Sequence, residues 1–304
     1  AFPKFLRGDA GRNGGAREAP FFVVGTAGAA SRIGCMLLRV RSLLCASLLA
    51  GFACAAPALG ADIVFPGASW DRSPPEEQGI KGANVEKAVA HIEEISGKDG
   101  AERTVIVRNG YVIWEGVRAD EAGPVWSVTK SFLSTCLGLL WDDQRVEPDM
   151  RAADIEPSLD ALYPDVTLRH LATFTSGYDF EKGQPLAAAE PLFAPGEAFR
   201  YSRESDLLAA LLTKVGGKDL DELFGERIGG PIGITGPVME WGRFETPNGG
   251  SVCGGSGKPP GVVKITPLAA ARFGWLYCND GVWNAQRLIS ENYIDYATTP
   301  KVSA

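Results

Sequence analysis

Histidine is scarce in this chain of 304 residues, which contains only His91 and His170. A Ser-His-Asp triad requires a histidine beside its nucleophile. No Gly-x-Ser-x-Gly elbow is present, because the segment 254–258 (Gly-Gly-Ser-Gly-Lys) departs from that motif at its last position. No spacing of cysteine and histidine is typical of a zinc site. We therefore expect no metal and no other cofactor, and a serine nucleophile would need activation by a residue other than histidine.

Basic residues are also scarce over most of the sequence. The chain has 30 Lys/Arg and 37 Asp/Glu, which gives a net charge of −7. Residues 1–61 hold seven of the basic and two of the acidic residues, so residues 62–304 hold 23 and 35 and carry a net charge of −12. Phosphate binding needs a basic face. The acidic body therefore argues against nucleic acid as a partner.

The chain does not begin with methionine, since its first residue is Ala1 and its first methionine is Met36. Residues 1–35 are rich in Gly, Ala and Arg and show no periodicity. We expect them to be unstructured read-through from upstream. Residues 36–61 are typical of a secretory signal peptide, with Arg39 and Arg41 before an apolar run and small residues that offer Ala-x-Ala-like cleavage.

A membrane anchor is the alternative for this segment, because residues 43–61 carry no charge over 19 positions. The second half of the run is Ala, Gly and Pro, which favours cleavage. We expect a periplasmic or secreted protein of bacterial type, without stable membrane insertion after cleavage. The mature chain would keep Cys136, Cys253 and Cys278. A disulfide between Cys253 and Cys278 is left open by the sequence.

Residues 62–304 have the composition of one globular domain, within a chain that is 45% hydrophobic and 22% charged. One hairpin is predicted at 104–107 and 111–114, around the type I′ turn signal Asn109-Gly110. The glycine-rich stretch 249–261 predicts a loop. Helices are predicted at 83–96, 127–142, 168–174, 205–215, 220–228, 266–277 and 290–297.

The stretch Trp126-Ser127-Val128-Thr129-Lys130 opens one of these helices. Ser127 and Lys130 lie about one turn apart on the same helix face. The helix N-terminus adds backbone N–H groups and partial positive charge, which suit an oxygen that becomes anionic. A lysine there either loses its proton by desolvation or stays charged and lowers the pKa of the serine. Tyr201 is a candidate second proton-transfer group, although taken alone it reads as a buried aromatic.

Four groups of segments occur in a distinctive order. They are Trp126–Lys130, Leu168–Leu171 with Thr175–Tyr178, Phe193–Gly196 with Tyr201-Ser202, and Gly254–Ser256 with Thr266-Pro267 and Ala271–Gly274. In order and spacing they resemble the β-lactamase-related serine hydrolases: class C β-lactamases, D-alanyl-D-alanine peptidases, family VIII esterases and 6-aminohexanoate-dimer hydrolases. The resemblance spans roughly residues 75–304.

The resemblance implies an α+β fold of the β-lactamase/transpeptidase type, with a helical subdomain and an antiparallel sheet. It implies a hydrolase that acts through an acyl-enzyme on an ester, amide or β-lactam bond of a small-molecule or short-peptide substrate. Ser127 would be the nucleophile, Lys130 its helper and Tyr201 the general acid and base. The backbone N–H of Ser127 would be one oxyanion donor. His170 would be structural, and nothing in the sequence indicates an oligomeric state.

Arg203 departs from the family pattern, in which the tyrosine motif usually reads Tyr-x-Asn. An arginine is longer and always charged, so we expect it to repel Lys130 or to point away from it. This departure puts ordinary β-lactam turnover in doubt and favours an esterase or amidase. Trp126 and Arg203 are candidate substrate-binding residues.

A second departure concerns the third motif of the family, a Lys-Thr/Ser-Gly or His-x-Gly triplet on a late strand. No such triplet follows Gly281. We therefore expect the sequence to be a fragment that lacks the C-terminal sheet strands of a domain beginning at residue 62. Two alternatives to an active hydrolase follow from the departures. One is a non-catalytic relative that binds cell-wall-like peptides, and the other is an inactive fragment.

Overall fold

A computed structural model describes residues 21–25, 63–179, 191–246 and 250–301, and for residues 21–25 it describes the backbone only. The predicted signal peptide, residues 36–61, lies outside the described residues, as does most of the segment 1–35. In the described part of the chain, no helix is long and apolar enough to cross a membrane.

The described residues form eight α-helices and ten short strands. The helices are α1 (Gly82–Glu102), α2 (Thr129–Asp142), α3 (Ala152–Ile155), α4 (Leu168–Thr173), α5 (Glu204–Gly216), α6 (Leu220–Phe224), α7 (Pro267–Cys278) and α8 (Glu291–Thr298). The strands are β1 (Phe21–Gly25), β2 (Thr104–Arg108), β3 (Tyr111–Glu115), β4 (Gly123–Pro124), β5 (Met239–Trp241), β6 (Arg243–Glu245), β7 (Ser251–Cys253), β8 (Val263–Ile265), β9 (Val282–Trp283) and β10 (Gln286–Arg287). The strands form small antiparallel sheets with the orders β1-β2-β3, β4-β8-β5, β6-β7 and β9-β10. The predicted α+β class is confirmed.

The predicted hairpin forms as β2 and β3. Asn109 and Gly110 join the strands with φ values of 54° and 90°, and positive φ at both positions is the mark of a type I′ turn. Position 110 requires glycine, because a Cβ there would overlap the carbonyl oxygen of Val64. The middle of β2, residues 105–107, has no exposed surface.

The strand β1 is a difference from the sequence-based expectation, because it lies within residues 1–35, for which no structure is predicted. It pairs antiparallel with β2, from Phe21 opposite Arg108 to Gly25 opposite Thr104. The Phe and Val residues of this segment have high strand propensity. The pairing satisfies the backbone groups on the side of β2 that faces away from β3.

The core surrounds α2, most of whose apolar residues are buried. The ring of Phe132 stacks on Phe273 of α7 at 4.5 Å between centroids and meets Phe224 of α6 edge-on at 5.3 Å. Farther along α2, Trp141 meets Tyr293 of α8 edge-on at 5.4 Å. Aromatic pairs of this kind contribute about 1 kcal/mol each beyond their burial. Helices α6, α7 and α8 therefore fix the helix that carries the Ser-x-x-Lys pair.

The predicted helices are present with shifted ends. The helix predicted at 83–96 continues to Glu102 beyond a break at Gly97, and the one predicted at 220–228 is α-helical only to Phe224 before a π-helical turn. The strands β4 to β10 are not predicted, because two or three residues are too few to show an alternating pattern. One of them, β7, lies in the stretch 249–261 that is predicted to be a loop.

Candidate active site

Ser127 lies in a single 3₁₀ turn, Trp126–Val128, directly before α2. The strand β8 holds both ends of this turn. The N–H of Val125 donates to the carbonyl oxygen of Val263 at 2.9 Å, and the hydroxyl of Thr129 accepts the N–H of Val263 at 3.0 Å. The backbone around Ser127 is therefore fixed by a sheet as well as by the helix that follows.

The peptide that precedes Ser127 is strained and closely packed. Trp126 has a left-handed backbone with φ of 47°, a conformation that costs a bulky residue on the order of 1–3 kcal/mol and clusters at functional sites. Gly257 packs against this peptide. A Cβ on Gly257 would overlap the carbonyl oxygen of Trp126 and would lie 2.9 Å from the backbone nitrogen of Ser127. A side chain at 257 would therefore crowd the backbone nitrogen of Ser127.

The three side chains predicted to be catalytic lie together. The hydroxyl oxygens of Ser127 and Tyr201 are 2.5 Å apart, and Nζ of Lys130 donates to the Ser127 hydroxyl at 3.5 Å. Lys130 also donates to the carbonyl oxygen of Ser256, and its Nζ lies 4.9 Å from the centroid of the Tyr201 ring. A proton can pass directly between the serine and tyrosine oxygens at this distance.

Lys130 is 2% exposed. Burial is the largest cause of its lowered pKa, and the charge of Lys258 lowers that pKa further, while Tyr201 and Asp206 oppose the shift. A lower pKa gives a larger fraction of neutral amine near neutral pH than an exposed lysine has. The sequence leaves open whether Lys130 is neutral or charged, and its burial favours the neutral form.

Tyr201 is supported by Phe174, whose ring stacks on the tyrosine ring at 4.9 Å between centroids. Phe174 ends α4 in a left-handed conformation with φ of 61°. At the start of the same helix, Nδ1 of His170 accepts the N–H of Thr167 at 3.2 Å in a capping box. The hydrogen bonds of His170 are those of a helix cap, which fits the structural role implied by the resemblance.

Asp206, in the first turn of α5, is a site residue that the sequence analysis misses. Its side chain is buried, at 1% exposure of the residue. One carboxylate oxygen, Oδ1, accepts the N–H groups of Gly255 and Ser256 at 3.0 and 2.8 Å. The other, Oδ2, accepts Nε and Nη2 of Arg203 at 3.1 and 2.9 Å. The available sequence signal was an acidic residue directly before a run of apolar residues in a predicted helix.

A cavity of about 500 Å³ opens at Ser127 and is lined by Trp126, Ser127 and the segments 201–203 and 256–259. Both predicted substrate-binding residues, Trp126 and Arg203, line it. Arg203 forms an ion pair with Asp206, and the cation that lowers the pKa of Lys130 is Lys258. The expectation that Arg203 repels Lys130 or points away from it stays a prediction.

Glu204 follows Arg203 and is completely buried, at 0% exposure. Burial raises its pKa to about 9, although the hydrogen bond from Ser176 opposes the shift. The hydroxyl of Ser176 donates to Oε2 of Glu204. The neutral carboxyl of Glu204 therefore links Ser176, in the turn after α4, to the start of α5. Glu204 is three positions after Tyr201.

The described residues contain no group of three or more His, Cys, Asp or Glu side chains that could hold a metal ion. Cys253 is a buried free thiol, and burial raises its pKa to about 12. The disulfide between Cys253 and Cys278 that the sequence leaves open is therefore not formed.

The family model described as Beta-lactamase matches residues 85–292, which is more than half of the chain. No curated protein matches the chain in sequence.

Three solved structures have a similar fold. A protein provisionally assigned as a β-lactamase from Bacteroides dorei DSM 17855 has a TM-score of 0.57 and 17% identity over 71% of this chain and 68% of its own. A provisionally assigned 6-aminohexanoate-dimer hydrolase from Bacillus anthracis has a TM-score of 0.51 and 17% identity. The match covers 63% of this chain and 57% of that protein. A D-alanine carboxypeptidase from Burkholderia cenocepacia has a TM-score of 0.50 and 20% identity. The match covers 71% of this chain and 69% of that protein. The chain thus spans 57 to 69% of the length of these proteins. Identities this low show the fold alone.

Proposed function

This chain belongs to the β-lactamase family of serine hydrolases, and we propose that Ser127 is its nucleophile and forms an acyl-enzyme with an ester, amide or β-lactam carbonyl. The observation that carries the proposal is the contact of 2.5 Å between the hydroxyl oxygens of Ser127 and Tyr201, with Nζ of Lys130 3.5 Å from the same serine oxygen. Such a group can activate a serine without a histidine.

Acylation begins with transfer of the Ser127 proton to the phenolic oxygen of Tyr201, whose own proton moves to the neutral amine of Lys130. The serine oxygen forms a bond to the substrate carbonyl carbon, and the carbonyl oxygen takes the negative charge. When the carbonyl re-forms, the bond to the leaving group breaks, and Tyr201 supplies the proton that the leaving group needs. Lys130 then returns its proton to Tyr201. The burial that lowers the pKa of Lys130 supports its role as the acceptor in this exchange.

Deacylation runs through the same groups. A water molecule gives a proton to Tyr201, whose own proton again moves to the neutral amine of Lys130, and the water oxygen bonds to the acyl carbon. When the carbonyl re-forms, the bond to the Ser127 oxygen breaks, Tyr201 protonates that oxygen, and Lys130 returns its proton to Tyr201. The backbone N–H of Ser127 is proposed to stabilise the negative charge on the carbonyl oxygen in both steps. A donor of this kind contributes about 3 kcal/mol to the transition state. The glycine at 257 supports this role, because a Cβ there would lie 2.9 Å from the Ser127 nitrogen.

The proposed substrate is a small molecule or short peptide that enters the cavity beside Ser127. Arg203 and Trp126 are proposed to contact it, since both line the cavity. The named neighbours describe three different substrates, so they do not choose among an ester, an amide and a β-lactam. Arg203 in place of the usual Asn remains the support for a binding-only relative, although its charge is paired with Asp206.

The test is hydrolysis of a panel made of p-nitrophenyl esters, nitrocefin and a D-Ala-D-Ala peptide. We expect turnover of at least one compound by the natural protein. Ser127→Ala should abolish it, and Tyr201→Phe should lower kcat/KM by about 10²- to 10⁴-fold. Ser158→Ala, at a surface serine, is the matched control and should leave the rate unchanged. Retained hydrolysis in Ser127→Ala would contradict the proposal. No turnover together with binding of cell-wall fragments would favour the non-catalytic alternative.

We also propose that the protein is exported to the periplasm or secreted. The support is the pattern of residues 36–61, in which two arginines precede an uncharged run and small residues. Sequencing the N-terminus of the protein recovered from its native host tests this. A start between residues 59 and 62 agrees with cleavage, and recovery of residues 36–58 on the mature protein would contradict it.

A further inference from the structure

We propose that Asp206 is a positioning residue, which holds the segment 255–257 and Arg203 in the places that Lys130 and Ser127 require. Asp206 does not line the cavity, so it acts through other residues and not on the substrate. The inference rests on the proposed function only in so far as Lys130 assists Ser127.

The first support is the completeness of the hydrogen bonding of this buried carboxylate. Two backbone N–H groups bind Oδ1, and two nitrogens of the Arg203 guanidinium bind Oδ2. Charge-assisted hydrogen bonds of this kind are stronger than neutral ones. A buried carboxylate with four such bonds joins the start of α5 to the segment 255–256, which is 49 to 50 positions away in the chain.

The second support is what that segment touches. The carbonyl oxygen of Ser256 accepts a hydrogen bond from Nζ of Lys130, and its N–H is held by Asp206. The next residue, Gly257, packs against the peptide between Trp126 and Ser127. The Asp206 carboxylate therefore fixes the Ser256 carbonyl that binds Lys130. Through the next residue it also holds Gly257 against the peptide that precedes Ser127. A displacement of about 1 Å in such a site can cost a factor of about 100 in rate.

The third support is charge. Tyr201, Asp206 and Lys258 are the titratable groups that act on Lys130. Arg203 is two positions from Tyr201 and lines the cavity, and without Asp206 its guanidinium would be left unpaired there. The negative charge of Asp206 also favours the protonated form of Lys130.

The experiment compares the natural protein with Asp206→Asn, Arg203→Gln, the double variant and Asp219→Asn. The last is the matched control, because Asp219 also pairs with an arginine, Arg243, but does not contact the segment 255–257. Two quantities are measured from pH 6 to 10. One is the rate of labelling by a fluorophosphonate, and the other is the titration midpoint of Lys130, read by NMR of protein labelled with ¹³C at lysine Cε and assigned with Lys130→Arg.

We expect Asp206→Asn to lower the maximal labelling rate by about 10- to 100-fold and to move the midpoint of Lys130 to lower pH. The double variant should regain part of the lost rate, because the unpaired guanidinium is gone. Asp219→Asn should change neither quantity. A purely structural role would lower the amount of folded protein without moving the midpoint. A midpoint that stays in place and a rate within twofold of the natural protein would overturn the proposal.

Two further outcomes are also decisive. If Asp206→Asn does not fold, the double variant is compared with Arg203→Gln, since the two differ only at Asp206. A lower Lys130 midpoint in the double variant supports the proposal, and an equal midpoint overturns it. If no variant and not even the natural protein is labelled at Ser127, the proposed function fails. The NMR midpoint then still tests Asp206.

Discussion

Glu204 gives the clearest link between a single side chain and the pH dependence of stability. Its pKa is raised by burial from the ordinary 4.5 to about 9. Below pH 4.5 the carboxyl is neutral in the folded and the unfolded chain. Between pH 4.5 and about 9 only the folded protein keeps the proton, so the free energy of unfolding falls as the pH rises. The slope is about 1.4 kcal/mol per pH unit, and it ends above pH 9, where both states are ionised.

Glu204→Gln should remove that slope, because the amide is neutral at every pH and has nearly the same shape. The variant should gain several kcal/mol over the natural protein at pH 8 and little at pH 4. Urea unfolding at a series of pH values measures this. Glu86→Gln, at an exposed position of α1, is the control and should retain the slope of the natural protein. Parallel pH curves for the natural protein and Glu204→Gln would show that Glu204 is ionised when buried.

The residues near Ser127 differ in how readily the sequence reveals them. Ser127, Lys130 and Tyr201 are each reactive side chains in recognisable local patterns, and the structure brings them within hydrogen-bonding distance. Asp206 carries no such pattern. Besides Arg203, three positions before it, Asp206 binds a backbone segment 49 to 50 positions away. Only the folded chain brings that segment to Asp206.

At the scale of elements, the turn that contains Ser127 depends on its fit against Gly257. We expect Gly257→Ala to lower the labelling rate of Ser127 by at least tenfold, because the added Cβ would force apart two backbone segments that touch. Overpacking and positive φ together should cost about 2–4 kcal/mol of stability. The measurements are fluorophosphonate labelling and urea unfolding.

Gly217→Ala is the matched control for this substitution. Gly217 also has a positive φ, 67°, but a Cβ there would meet nothing within 4 Å. It should lose about 1 kcal/mol from the backbone conformation and keep the full labelling rate. Equal effects of the two substitutions on the rate would show that the contact at Gly257 is not needed by the site.

Helices are better predicted than strands in this chain because their ends carry side-chain signals. Thr167, Thr266 and Ser290 each accept a backbone N–H at the start of a helix, and each is recognisable as a cap in the sequence. The strands β4 to β10 have two or three residues each. Such strands are set by their partners in the sheet and not by local propensity.

At the scale of the whole molecule, the position of the site follows from long-range packing. The strand β8 is hydrogen-bonded to Thr129 at the start of α2. The helix α5 begins three residues after Tyr201 and supplies Asp206, which binds the segment 255–256. The strand β8, the segment 255–257 and α5 all lie far from α2 in sequence. The family resemblance pointed to the candidate catalytic side chains and to the fold class, whereas the supporting contacts required the folded chain.

Peptide mapping of the labelled protein shows whether Ser127 carries the acyl group. The natural protein is treated with a fluorophosphonate, digested and examined by mass spectrometry. We expect one adduct, on the peptide that contains Ser127, and a labelling rate that falls at least 100-fold in Lys130→Met. An adduct on another serine, or equal labelling of Ser127→Ala, would contradict this expectation.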